Sequence, residues 1–74
     1  MLYKKRKSCV IDECIGKNLY NARIARNLTL DELGKEVGVC REQIRKYERG
    51  IDRISASLLF IFTKKLNVNI NFFY

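Results

Sequence analysis

A chain of 74 residues has room for a single domain, and at that size only about 60% of the unfolded chain's surface is removed from water. Fifteen lysines and arginines against eight acidic residues leave a formal charge of +7, which points to a polyanionic partner, nucleic acid or an anionic membrane surface, without choosing between them. The longest apolar run, Leu58 to Phe62, falls far short of the roughly 20 residues that cross a bilayer, so a membrane protein is not expected. There is no histidine, which removes Ser/His and Cys/His nucleophile pairs, and the four glycines form no phosphate-cradling loop, so enzyme activity is not expected. Cys9, Cys14 and Cys40 match no common zinc spacing; neither a metal nor another cofactor is expected. The basic start, Lys4 to Lys7, is not followed by the apolar segment of a secretory signal, and the expected location is a reducing cytoplasm with free thiols.

In chain order, residues 1–8 read as a flexible basic arm, and residues 9–74 as the folded domain. Ile15, Leu19 and Ala22 recur at helical spacing and predict a first helix from about Asp12 to Asn27, with Asp12 and Glu13 at its electropositive N-terminal end. Thr29 followed by Asp31 and Glu32 is an N-cap with an acidic first turn and predicts a second helix from Leu30 to Val37. Gly34 removes a side chain where two backbones must approach, and Gly38 stands where a sharp turn needs positive φ. A third helix follows from about Cys40 to Arg49 and stops at Gly50, so Thr29 to Gly50 reads as a helix-turn-helix. Ser55 or Ser57 caps a fourth helix with Leu58, Phe62 and Leu66 every fourth position. The tail from Asn67 to Tyr74 suits either a short fifth helix or a strand.

Several of these residues form a more specific pattern. Arg23, then Leu33, Gly34, Val37 and Gly38, then Ile44, Tyr47-Glu48-Arg49-Gly50 and Leu66-Asn67-Val68 make the chain similar to the lambdoid phage Cro and repressor (XRE-like) type of helix-turn-helix domain, over about Ile15 to Phe73. The resemblance implies an all-α, compact, five-helix lambda-repressor-like bundle and sequence-specific binding of double-stranded DNA. It implies an internal salt bridge between Arg23 and Glu48. Two positions depart from the pattern. Leu30 stands where the family carries a phosphate-binding glutamine, and Cys40 where a serine or threonine caps the recognition helix.

On this reading Arg41, Glu42, Gln43, Arg45 and Lys46 face base edges from the third helix, long polar side chains suited to that work. Thr29, Tyr47, Arg49, Arg53 and the arm residues Lys4, Lys5, Arg6 and Lys7 are assigned to the DNA backbone. A domain of this size lays one helix into one groove, so a homodimer on a palindromic operator is expected, acting as a repressor of transcription. Its interface is assigned to Ile70, Phe72, Phe73 and Tyr74, with Ile70 and one phenylalanine folding back on the core and the surplus exposed. The competing reading is an antitoxin or adaptor whose C-terminal segment binds another protein while DNA binding serves autoregulation.

Overall fold

In a computed structural model, residues 7–74 are described, with side chains from Val10 onward. Four α-helices follow one another: α1 Lys7–Ala25, α2 Leu30–Val37, α3 Arg41–Glu48 and α4 Ala56–Leu66. A single 3-10 turn, Ile70–Phe73, follows them. Each helix contributes to one core, Leu19 and Ala22 from α1, Leu33 from α2, Ile44 from α3, and Leu59, Phe62 and Leu66 from α4. The helical stripe of α4 is thus centred on Leu59 and Phe62, and Leu58 is only half-buried at its edge. Leu30, Val37, Tyr47, Ile54 and Val68 close the rim.

Short helices need their ends satisfied, and here the caps carry much of the local specification. The Thr29 hydroxyl accepts from the Glu32 amide at 3.1 Å while the Glu32 carboxylate accepts from the Thr29 amide at 2.8 Å, a complete capping box for α2. Ser55, not Ser57, caps α4 through the Leu58 amide. At the other ends α1, α2 and α4 each stop on a left-handed residue, Asn27, Gly38 and Asn67. In each case the following amide reaches back five residues, as in Leu28 to the Arg23 carbonyl and Val39 to the Gly34 carbonyl. Gly38 takes φ 77°, which a side chain would strain, and a Cβ on Gly34 would collide with the Val39 carbonyl oxygen where the turn folds back over α2.

Three expectations are corrected. α1 begins at Lys7, five residues before Asp12, so Lys7 and Ser8 are helical and Asp12 and Glu13 lie well inside the helix. Of the added residues Ile11 borders Phe73 and Tyr74 together with Cys14 and Ile15, a contact that periodicity does not register, and farther along α1 the Asn18 amide donates to the Phe73 carbonyl at 3.0 Å. The tail forms no fifth α-helix and no strand. Its four residues are too few to recover the cost of an α-helical nucleus, and Asn69 instead caps a 3-10 turn through the Asn71 amide at 2.9 Å. Within that turn one phenylalanine joins the core as expected, but Ile70 does not. Phe73 is fully buried in the core and cannot serve as an exposed interface residue, whereas Ile70 stays exposed at 42%. Phe73 lies inward where Asn18 anchors its backbone carbonyl, while Ile70 and Phe72 stay exposed.

Candidate nucleic-acid interface

The candidate site is built on the angle between α2 and α3. Leu33 and Ile44 bury their side chains in the same core, and the three-residue connection Gly38 to Cys40 leaves α3 nowhere to go but across the end of α2. On the other side α1 crosses the C-terminal end of α3. A Cβ on Gly16 would strike the carbonyl oxygens of Tyr47 and Glu48, so the two backbones are in direct contact there. At that crossing lies the ion pair that fixes α3. Arg23 Nε donates to Glu48 Oε2 at 2.6 Å, Nη2 donates to Oε1 at 3.1 Å, and Nη1 donates to the Leu28 carbonyl at 2.8 Å. Both side chains are more than nine-tenths buried, so the fork-to-fork geometry works in a low dielectric and sets the rotation of α3 about its axis.

With Ile44, Tyr47 and the Glu48 side chain turned inward, 100° per residue places Glu42 and Lys46 nearest the outermost line of α3. Arg41, Arg45 and Arg49, four residues apart, run down one flank, and Gln43 lies on the other. The five residues expected to face bases are therefore not equivalent. Glu42 and Lys46 stand fully outward. Arg41 is exposed and makes a loose pair with Asp31, 3.6 Å between Nη1 and Oδ2, of a kind that contributes at most about 1 kcal/mol and exchanges readily for another anion. Gln43 is half-buried, with Nε2 donating to Asp52 Oδ2 at 2.8 Å in the loop after α3. Arg45 leans toward α1. α3 begins without its side-chain cap, since the thiol of Cys40 makes no hydrogen bond to the first-turn amides.

The residues assigned to the DNA backbone are also sorted by the fold. Thr29 spends its acceptor on the capping box but keeps its hydroxyl proton for an outside acceptor. Tyr47 is half-buried, its ring edge-on to Phe62 with centroids 6.5 Å apart. Arg49 is exposed at the C-terminal cap of α3. Arg53 is 61% exposed and pairs with Asp12 of α1 at 3.3 Å, which ties the loop after α3 to the body. Lys4, Lys5 and Arg6 lie outside the described residues, as does the side chain of Lys7. Two residues not singled out from sequence join this surface. Lys17 and Tyr20 of α1 line an open recess of about 360 Å³ beside Arg45 and Arg49. Their i, i+3 spacing puts them on one face, but nothing in the sequence says that α3 crosses that face.

A protein-family model described as helix-turn-helix matches residues 19–73. The chain belongs to the XRE-type helix-turn-helix family. Among its relatives, an uncharacterized HTH-type transcriptional regulator of Rickettsia conorii is 38% identical over 64 residues, which is 86% of this chain and 51% of the relative. An uncharacterized transcriptional regulator in the ATPase CF(0) region of Rhodospirillum rubrum is 41% identical over 64 residues, 86% of this chain and 59% of the relative. The chain thus spans about half the length of the curated relatives it matches. Among solved structures, the clp gene regulator ClgR from C. glutamicum superposes with a TM-score of 0.80 at 25% identity, covering 85% of this chain and 82% of that one. This chain and ClgR thus share one fold, and α2, Gly38 and α3 are the helix-turn-helix motif here.

Proposed function

We propose that this helix-turn-helix protein is a sequence-specific DNA-binding regulator of transcription that inserts α3 into the major groove of an operator. The observation that carries the reading is the setting of α3. The helix is held by a buried, bidentate ion pair on its inner side and offers Glu42 and Lys46 on its outer side, with the basic residues Arg41, Arg45 and Arg49 along its flank. Arginine and lysine suit guanine O6 and N7, and glutamate suits the cytosine amino group. Gln43 joins the base-reading set only by leaving or sharing its bond to Asp52. Arg53, Thr29 and Tyr47 remain candidates for phosphate contact, as do Lys4, Lys5, Arg6 and Lys7 of the N-terminal stretch. Family membership supports the same reading, because its named relatives are transcriptional regulators.

The protein acts as a homodimer in the cytoplasm and represses a nearby promoter by occupying it. One helix reads only a few base pairs, and two copies on a palindrome supply the missing specificity. The contact between copies is formed by Ile70 and Phe72, exposed on the 3-10 turn, and by Tyr74, exposed just after it beside Ile11 of α1. Selection of bound sequences from a random DNA pool tests the whole reading. A palindromic motif with half-sites one helical turn apart is the expected result. Recovery of no enriched sequence would reduce the protein to a nonspecific binder, and co-purification of a second, different chain on Phe72 and Tyr74 would favour the antitoxin or adaptor reading.

A further inference from the structure

Positive charge on this molecule is matched unevenly by negative charge. Arg23 is paired with Glu48, Arg41 with Asp31 and Arg53 with Asp12. Beside the Arg23–Glu48 pair, where α1 crosses α3, the matching stops. Lys17 from α1 and Arg45 and Arg49 from the end of α3 converge on one open recess, and among the described residues none of the three has an acidic partner. The one carboxylate on its wall, Glu48, is fully engaged by two Arg23 nitrogens and offers the other cations no net charge. Tyr20 completes the wall, its ring 5.3 Å from the Arg23 guanidinium carbon and its residue 46% exposed, so the phenol is held by the buried pair while remaining open to solvent. Three like charges gathered around one opening raise the energy of the free protein, and a bound anion removes that repulsion.

The position of the recess identifies the anion. Arg45 and Arg49 lie on the flank of α3, about one-sixth of a turn from the outermost line of Glu42 and Lys46. When that line faces base edges, the flank meets the sugar-phosphate strand that borders the groove. A second recess shares Leu30 and Arg23 with the first and continues past Asp31 to Thr29 and Arg41 along the same side of α3. Leu30, common to both recesses, has an apolar side chain and contributes no donor of its own.

We infer that Lys17, Tyr20, Arg45 and Arg49 form a cradle for one backbone phosphate of the DNA beside α3, supplying from α1 and the α3 flank the grip that Leu30 does not. The inference rests on the DNA-binding reading above and sharpens it, since it makes Arg45 a backbone clamp and not a reader of bases. The same chemistry would accept a free phosphate monoester, and the test separates the two sources.

Fluorescence anisotropy with a labelled 20-base-pair duplex of random sequence, from 0.05 to 1 M salt, compares the wild type with Lys17→Gln, Arg45→Gln and, as a control for a cation elsewhere, Lys65→Gln. Each cradle variant should lower the slope of log K against log salt by up to the roughly 0.9 that one neutralised phosphate contributes, which over one decade of salt is at most about an 8-fold loss of affinity at 0.1 M relative to 1 M. Lys65→Gln should change the slope by much less. On DNA recovered from the random pool, Arg45→Gln should weaken binding to all sequences alike. A Lys17→Gln slope no different from that of Lys65→Gln, or an Arg45→Gln loss confined to one base position, overturns the cradle. Thermal midpoints should be unchanged or raised in Lys17→Gln through relief of repulsion, and a lowered midpoint would make Lys17 a structural residue and overturn its assignment. Titration of inorganic phosphate and of adenosine monophosphate into the isotope-labelled protein without DNA covers the other source. Saturable shifts at Lys17 and Arg49 below 1 mM, with duplex binding of Lys17→Gln intact, would give the recess to a small phosphate ligand and refute the DNA assignment. A wild type that fails to bind duplex at any salt defeats the DNA-binding reading itself, whereas binding that ignores Lys17 defeats only the cradle.

Discussion

Removing the carboxylate of Glu48 tests the physical basis of the site most directly. In Glu48→Ala the Arg23 guanidinium keeps its bond to the Leu28 carbonyl but loses both bonds to Glu48, and the charge remains more than nine-tenths buried with no partner. Breaking a buried pair from one side costs about 3–5 kcal/mol. A domain of this length has a total stability of roughly 4–11 kcal/mol at 0.05–0.15 kcal/mol per residue, so the loss consumes much of it. At about 4–8 °C per kcal/mol for a domain of this size, the thermal midpoint should fall by roughly 10–40 °C. The Arg23→Leu/Glu48→Leu double variant removes both charges and keeps apolar volume, and it should be markedly more stable than Glu48→Ala alone. Circular-dichroism melts of the three proteins make the comparison. A Glu48→Ala loss under about 1 kcal/mol would place the pair among solvent-screened surface bridges and refute the argument that it sets the orientation of α3.

Four further outcomes are expected. Cys40→Ser supplies the missing side-chain acceptor at the start of α3 and should raise stability by about 1 kcal/mol in a denaturant titration. Gly16→Ala drives a methyl group into the backbone of α3 at Tyr47 and Glu48 and should cost about 1–3 kcal/mol, read from the same titration; wild-type stability would show that the helices can separate freely. Arg41→Ala should weaken binding to the selected operator by about 1–3 kcal/mol and relax preference at one base pair, and equal losses on operator and random DNA would make Arg41 a phosphate contact. The Phe72→Asp/Tyr74→Asp variant should stay folded and sediment as a monomer, whereas Phe73→Asp should unfold because that ring is fully buried; a Phe72→Asp/Tyr74→Asp variant that remains dimeric would move the contact to another exposed apolar pair, such as Phe60 and Ile61 of α4.

Local chemistry made much of this molecule legible before folding was considered. The boundaries of α2 follow from Thr29, Glu32 and Gly38, because a capping box and a left-handed glycine act within a few residues of themselves. The periodicity of Leu19, Ala22, Leu33, Ile44, Phe62 and Leu66 marked most of the core, since a helix repeats its buried face regardless of what it packs against. Arg23, Leu33-Gly34, Val37-Gly38 and Tyr47-Glu48-Arg49-Gly50 carried the resemblance to the family to which the chain belongs. Contacts between distant segments decided the rest. The length of α1, the choice of Phe73 over Ile70 for the core and the 3-10 form of the tail all depend on 3-10 turn and α1 meeting across more than fifty residues. Likewise, whether Gln43 and Arg45 face outward depends on Asp52 and on the crossing at Gly16, neither of which leaves a periodic trace in the chain. Periodicity reports which face of a helix is buried, but the partner of each side chain on the remaining faces is set only when the helices are packed at a particular angle.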